Sequence, residues 1–458
     1  MCGASRFSRM RAALLIASLA GLAAPAVADA ATWSTPQDLS PPHTFVDEPR
    51  LVTWPSGVAL ASWSWGDGTG AGGRSGVEAA ARGRGRDAFS PRRPLVRGRR
   101  SDRRTESIAG PVAYGRERTL VATSRPLDAR PGERRVRLIA HFARAGGGRE
   151  RRQRVRTAAG IGSVALAGND RGAAAVAWFE DRGVRTDRVY VALRRAGGRF
   201  GTPRLLARGR IRGVSVAVGA GGDVLVAWDA RGVLRTRFKP RTRRGFRATD
   251  TIRSEEAFFA DLHPVVTASG RAVLAWSAQF MSEGGGSRDV YVQAALRPPR
   301  AARFRPAQVL ERLGGERIER PIDAVVGPLD RVVVAWSGSD GATRRVRAAA
   351  EGPAERFGPA LDVSPPSEDA LLSDLAAGAD GRVIAVWDQG IAAPGTVRAA
   401  LSPFAGAPFG PPEDASPAGQ DARFGHAAFD PLSSRPTIVW SDRPEGSPTV
   451  AQAATRSE

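Results

Sequence analysis

A short run of small apolar residues that closes on Trp, then Ser or an acid, recurs along this chain. Its period limits the fold more than any other feature. The runs are ALASWSWGD, AVAWFED, VLVAWD, AVLAWS, VVVAWS, VIAVWD and TIVWSD, marked by Trp63, Trp178, Trp228, Trp276, Trp336, Trp387 and Trp440. From Trp178 onward the gaps are 50, 48, 60, 51 and 53 residues. The 115 residues from Trp63 to Trp178 make two periods, and LVATSR fills the space with Thr123 where Trp would stand. Units of this length are single supersecondary motifs that bury their apolar faces only against their neighbours.

The fifth copy shows the internal grammar. HPVVTAS, a Gly-Arg turn, AVLAWSA, a polar loop, DVYVQAALR, a Pro- and Arg-rich turn and FRPAQVL follow one another between His263 and Leu310. These are four short Val/Ala-rich runs divided by Gly, Pro and Asp signals. The first two runs are apolar at nearly every position, as in strands buried on both faces, while the outer runs alternate. Four antiparallel strands per copy, repeated radially, predict an all-β propeller. A solenoid would use shorter units stacked end to end. The chain ends favour a ring: the last copy stops at its third run, PTVAQAATR, and TWSTPQDLSPP near the start (32–42) resembles the fourth-strand segments RFGPALDVSPP and PFGPPEDASP. A first segment that completes the last blade removes the exposed edges an open array would have. Eight blades are expected, about 43–458 with a closing strand in 31–42, and seven if the Thr123 copy is absorbed irregularly.

Residues 1–30 read as a signal peptide: Arg6, Arg9 and Arg11 precede the apolar run Ala12 to Ala24, and Ala28-Asp29-Ala30 offers small residues around a cleavage point. The apolar run is shorter than the ~20 residues of a spanning helix, and no later stretch is long enough to cross a bilayer. Secretion to the cell envelope or beyond is therefore expected. Cys2 is the only cysteine, so the mature chain, residues 31–458, would have neither disulfide nor thiol chemistry and would be held by core burial, as a monomer.

The copies resemble the sialidase-like propellers with BNR or Asp-box repeats. The resemblance lies in the Trp-(Ser/Asp) strand ends and in third-to-fourth turns that close on an aromatic, at Phe200, Phe304, Phe357 and Phe409. The family's box S-x-D-x-G-x-T-W keeps the aromatic here but loses the Ser and Asp, so the resemblance implies fold more than activity. A sialidase would need an arginine triad, a Tyr paired with Glu and an Asp acid/base. Of Tyr114, Tyr190 and Tyr291, two fall in third strands away from the axis and Tyr114 has no adjacent acid. No catalytic residue, cofactor or metal site is assigned.

Propeller topology sorts the loops by face. Fourth-to-first and second-to-third connections share one face, termed the top, and the others share the bottom. Counting thirteen residues back from Trp63, Trp228, Trp276, Trp336 and Trp387 lands on Arg50, Ser215, His263, Asp323 and Asp374, which would open innermost strands on the top side. Asp67, Asp181, Asp229, Asp388 and Asp442 follow the Trp runs on that face. Arg50, His263, Asp323, Asp374, Asp229 and Asp388 are thus candidates for a ligand site at the channel mouth, although Asp after a strand also serves in Asx-turns. His263 and His426 approach the same mouth, with no local metal-ligand spacing.

The formal charge of +22 is not spread evenly. Turns 82–93, 144–154, 194–204, 237–247 and 297–305 on the bottom of blades one to five hold 24 basic and 2 acidic residues, as much charge as the whole chain. All basic residues but Lys239 are Arg, which also fits a GC-rich genome. The segregation to one face predicts a polyanion-binding surface, densest at Arg149, Arg151, Arg152, Arg241, Arg243 and Arg244. Its partner would be an acidic cell-envelope polymer or glycan. Sequence-specific nucleic acid is not expected, because Phe246 and Phe304 are nearly the only aromatics there for stacking. Two functional classes follow: an exported non-catalytic binding or scaffold propeller, or alternatively a diverged sialidase-like glycoside hydrolase using top-face carboxylates such as Asp323 and Asp374.

Overall fold

The computed structural model describes residues 32–457 apart from 68–73, 97–106, 128–134, 148–150, 184–185, 254–256, 281–288, 314–321, 340–342, 391–393 and 444–446. The signal segment expected in 1–30 and Arg149 lie outside the described residues. The remainder forms eight four-stranded antiparallel sheets, the blades of a closed propeller. Blade three is representative: Val164–Gly168, Ala174–Glu180, Asp187–Arg194 and Arg204–Gly209 pair in sequence order. The seven-blade alternative is set aside, because 107–158 form a complete blade in which Ser107–Tyr114, Arg118–Leu127, Arg135–Arg144 and Arg151–Ala158 pair in order.

Each second strand is apolar throughout because its alternate side chains serve two different interfaces. In Val224–Asp229, Val224, Val226 and Trp228 pack on Ala175, Val189 and Val191 of blade three, while Ala227 joins Phe259 and Trp276 of blade five. The same parity turns Trp336 toward blade five, Trp387 toward blade six and Trp440 toward blade seven. All seven signature Trp side chains are buried. The core is therefore a set of wedges between blades, and period-two alternation carries both faces at once. In blade two the Trp site holds Thr123, whose hydroxyl hydrogen-bonds His141 Nε2 at 2.9 Å.

The ring closes as the chain ends suggest. Gln37–Asp38 pairs with Gln452 and Ala453 of the last blade, flanked by bridges from Trp33 to Arg456 and from His43 to Thr449. Among the described residues, four blades are also clamped to the next on the periphery. The side-chain amides of Gln37, Gln153 and Gln308 on outer strands donate to the backbone carbonyls of Phe89, Phe200 and Phe357 and accept from the same residues' N–H groups, at 2.7–3.0 Å. Asp250 accepts from the Phe304 N–H in the equivalent place. Of the aromatics that survive in the degenerate turns, Phe200, Phe304 and Phe357 are thus each one half of an inter-blade clamp, whereas Phe409 packs in the cluster between blades six and seven.

Candidate functional site

The inner strands place one polar residue of each copy at a common level. Arg50, Ser215, His263, Asp323 and Asp374 each pair with the residue preceding the Trp of their own blade. In blade eight the equivalent is His426, opposite Val439, where a thirteen-residue count arrives one residue later. The offset comes from the first-to-second turn 430–435, one residue longer than 54–58 in blade one and 267–271 in blade five. A bulge in three of the inner strands precedes this level. Glu48, Asp261 and Phe424 adopt left-handed φ of 45°, 50° and 59°, two residues before Arg50, His263 and His426, and the register shifts there. Such bulges re-aim the side chain that follows.

Four of these residues join across consecutive blades. His263 Nε2 lies 3.2 Å from Asp323 Oδ1, Asp323 hydrogen-bonds Asp374, and Asp374 Oδ2 lies 3.3 Å from His426 Nδ1. Each also holds the next blade: Asp323 accepts the Leu375 N–H at 2.9 Å, Asp374 the Ala427 N–H at 2.8 Å and His426 the Leu51 N–H at 3.3 Å. Burial, and then the neighbouring Asp323 carboxyl, hold the Asp374 carboxyl well above the usual aspartate range. Burial and the Arg50 cation push His426 well below the ordinary imidazole range. A neutral acid beside a neutral imidazole is the arrangement both directions favour.

Asp229 and Asp388 belong to the blades' own framework. Asp229 is buried and accepts the Gly232 N–H, three residues on in its own turn, at 2.9 Å, with Arg212 3.8 Å away. Asp388, also buried, accepts the Ser373 hydroxyl and the Phe424 N–H of blade eight. A glycosidase pair would stand about 5–9.5 Å apart with sugar or water between. Asp323 and Asp374 instead hydrogen-bond each other and spend an oxygen each on backbone. Among the described residues no cluster of three or more His, Cys, Asp or Glu is arranged for a metal ion.

The titration of Asp374 has a sign that can be checked. Where the folded pKa exceeds the unfolded one, folding takes up a proton, so stability falls as pH rises above the unfolded value. Asn keeps the shape and acceptor but stays neutral. Asp374→Asn should therefore melt higher than wild type at about pH 8 and lose that advantage below about pH 4. Thermal unfolding across this range checks it, and a pH-independent offset would refute it.

On the bottom face the arginines divide into two populations. Arg82, Arg194 and Arg297, which end third strands, are buried and bond inward: Arg82 to the Thr437 and Thr455 hydroxyls, Arg194 to the Gly172 carbonyl at 2.8 Å and Arg297 to the Gly270 carbonyl. Arg297 stacks 3.7 Å from the Phe238 ring centre, and its pKa is lowered to about 10 by burial. Arg93, Arg204 and Arg247 bond turn carbonyls of the following blade at 2.7 Å, at Ala145, Arg244 and Ala301. Part of the basic charge thus fastens blades together. Arg151, Arg152, Arg241, Arg243 and Arg244 are in the other population and exposed.

Arginines of both populations gather between blades two and three, around a cleft of about 720 Å³. Arg118, Arg144, Arg151 and Arg152 enter it from blade two, Arg194 and Arg199 from blade three, and no described lining residue is acidic. Tyr114 and Phe142 form an aromatic floor, with the Arg194 guanidinium 4.6 and 5.4 Å from their ring centres. Burial raises the Tyr114 pKa, opposed by Arg194 and Arg118. Gly147 and Gly197 in the lining have φ of 99° and 71° and nothing within 4 Å of an added Cβ, so the entrance stays open. Sequence counting located Arg144, Arg151, Arg152, Arg194 and Arg199 in basic turns but missed Arg118, which reaches the cleft from a first-to-second turn.

No protein-family model matches the chain, and no curated protein matches it. Solved structures with a similar course include the β-propeller domain of the Trilobed protease from Pyrococcus furiosus, 6% identical over 76% of this chain and 92% of that one, with a TM-score of 0.43. A polysaccharide lyase of family PL25, an ulvan lyase, is 10% identical over 73% of this chain and 89% of its own, TM-score 0.43. The NanB sialidase of Streptococcus pneumoniae is 9% identical over 91% and 69%, TM-score 0.37. The chain is an eight-bladed propeller only distantly similar to these proteins, and none of the likenesses bears on its activity.

Proposed function

We propose that the protein is an exported, monomeric, non-catalytic propeller that holds an acidic polymer of the cell envelope, or an acidic glycan, against its bottom face. The observation that carries this reading is the cleft between blades two and three, where Arg118, Arg144, Arg151, Arg152 and Arg199 converge above Arg194, which is stacked on the Tyr114 and Phe142 rings. Guanidinium forks suit carboxylate, sulfate and phosphate groups bidentately, and Arg194, stacked on the Tyr114 and Phe142 rings, adds a fixed cation beneath them. The top-face carboxyl pair, engaged in its own hydrogen bonds, supplies no competing chemistry.

Retention on an immobilised sulfated polysaccharide, eluted across a salt series, tests it. The variant Arg151→Ser/Arg152→Ser/Arg199→Ser should flatten the salt dependence by roughly one unit of log–log slope for each guanidinium–anion pair removed. Arg241→Ser/Arg243→Ser/Arg244→Ser, on the rim of blade four, should flatten it less. Wild type eluting at low salt together with both variants would refute the reading.

A further inference from the structure

The bottom face carries a second feature beside its arginines. The three most exposed large apolar side chains among the described residues are Leu329 at 92%, Phe404 at 57% and Leu432 at 53%. They come from consecutive blades: Leu329 from the first-to-second turn of blade six, Phe404 from the third-to-fourth turn of blade seven and Leu432 from the first-to-second turn of blade eight. All three turns therefore open on the bottom. Blades six to eight lack the basic turns of blades one to five, so the face is cationic on one arc and apolar-tipped on the other.

These tips are held out by specific bonds. Asp330, beside Leu329, accepts the Ala268 and Ser269 N–H groups of blade five, and Leu329 itself has a left-handed φ of 61°. Asp430 accepts the Leu432 and Ser433 N–H groups. The Ser402 hydroxyl donates to the Phe404 and Ala407 carbonyls. Turns 380–382 and 432–434 are stitched together by Arg382 on the Ser434 carbonyl. Several carboxylates of this face are already engaged: Asp330 and Asp430 in these caps, Glu355 with Arg305 at 2.6 Å and Asp380 with Arg382. Glu355 and Asp380 are thereby neutralised locally by an arginine each.

We infer that this face docks on an anionic lipid bilayer, with Leu329, Phe404 and Leu432 entering the headgroup region while the arginines of blades one to five meet the phosphates. Single apolar side chains exposed at random need no explanation, but three on adjacent turns of the strongly basic face match the two-signal logic of peripheral membrane binding. The inference rests on the bottom face being an anion-binding surface, and it commits that surface to lipid.

Cosedimentation with vesicles of phosphatidylcholine alone, or mixed with phosphatidylglycerol, tests it beside the polysaccharide column. Wild type should bind only the mixed vesicles. The variant Leu329→Ser/Phe404→Ser/Leu432→Ser should bind them at least about tenfold more weakly while eluting from the polysaccharide as wild type does. Arg151→Ser/Arg152→Ser/Arg199→Ser should weaken both. Equal vesicle binding by wild type and the apolar-tip variant overturns the docking inference. So does polysaccharide retention without vesicle binding, which leaves the cleft reading intact and points to an acidic polymer. Absence of both overturns the two readings together.

Discussion

A chain starting at His43 should melt at least about five degrees below the full-length protein and should associate in solution. Residues 32–42 contribute the outer strand of the last blade, and their removal takes several interactions at once. The backbone bonds of Ser34 N–H to Thr455 and of Leu39 N–H to Ala451 disappear, as do the Ser40 hydroxyl that accepts from Ala451 and the Gln37 clamp on Phe89. Leu39 also leaves the cluster it shares with Trp63, Val439 and Ala453. One buried leucine contributes about 1.5–3 kcal/mol and each net hydrogen bond about 1, so the total is at least about 5 kcal/mol. The truncation also uncovers the edge of Val450–Thr455, and an unpaired strand recruits another copy. Calorimetry and size-exclusion chromatography read the two effects, and a peptide of 32–42 added in trans should reverse both. A truncated chain that stays monomeric and melts unchanged would mean that the ring does not depend on this strand.

How much of this was legible in the sequence depended on whether a feature repeats. The Trp period set the blade count, Thr123 marked the copy without Trp, and the likeness of 32–42 to two fourth-strand segments disclosed the closure. Sorting loops by face followed from strand parity alone. What failed was finer than one residue. Counting back thirteen positions reaches Ala427 in blade eight, because the turn 430–435 is one residue longer than the equivalent turns 54–58 and 267–271, and nothing in the local sequence marks the bulge that sets Phe424 at positive φ. The ambiguity over Asp also had a local answer only once turns were placed: Asp229 caps its own turn, whereas Asp388 reaches a neighbouring blade.

Arginine was the harder case. Arg93, Arg204 and Arg247 lie in the same basic turns as Arg151 and Arg241, yet they bond carbonyls of the next blade. A carbonyl acceptor is supplied by every residue, so the sequence carries no trace of that partnership. The net charge of the face was readable, and its division into fastening and outward-facing groups was not. The cleft was hidden for a related reason: it needs Arg118 from one turn, Arg144 and Arg199 from two others and glycine gaps between them, and these meet only after two blades are packed.

The signature Trp residues look alike in sequence but should respond differently to Trp→Phe. Trp336 Nε1 donates to Glu311, whose carboxylate also holds Arg347, while Trp387 donates to Gln389 at 3.2 Å and Trp440 to Gln452 at 3.1 Å. The buried Nε1 groups of Trp178, Trp228 and Trp276 find no acceptor among the described residues. Phe preserves most of the ring volume, so Trp228→Phe and Trp276→Phe remove a donor already without a partner and should cost less than about 1.5 kcal/mol. Trp336→Phe strips a hydrogen bond from a largely buried carboxylate and should cost about 2–3 kcal/mol, because the penalty at a charged acceptor exceeds that at a neutral one. Trp→Ala at any of these sites opens a cavity between two blades and should cost about 3–5 kcal/mol, with Trp336 at the upper end because the bond to Glu311 goes too. Thr123→Ala, at the same place in blade two, forfeits only the bond to His141 and should cost about 1 kcal/mol. Urea unfolding of the set separates the terms. Equal destabilisation by Trp228→Phe and Trp336→Phe would mean that the Glu311 bond adds nothing and that shape alone fixes each wedge.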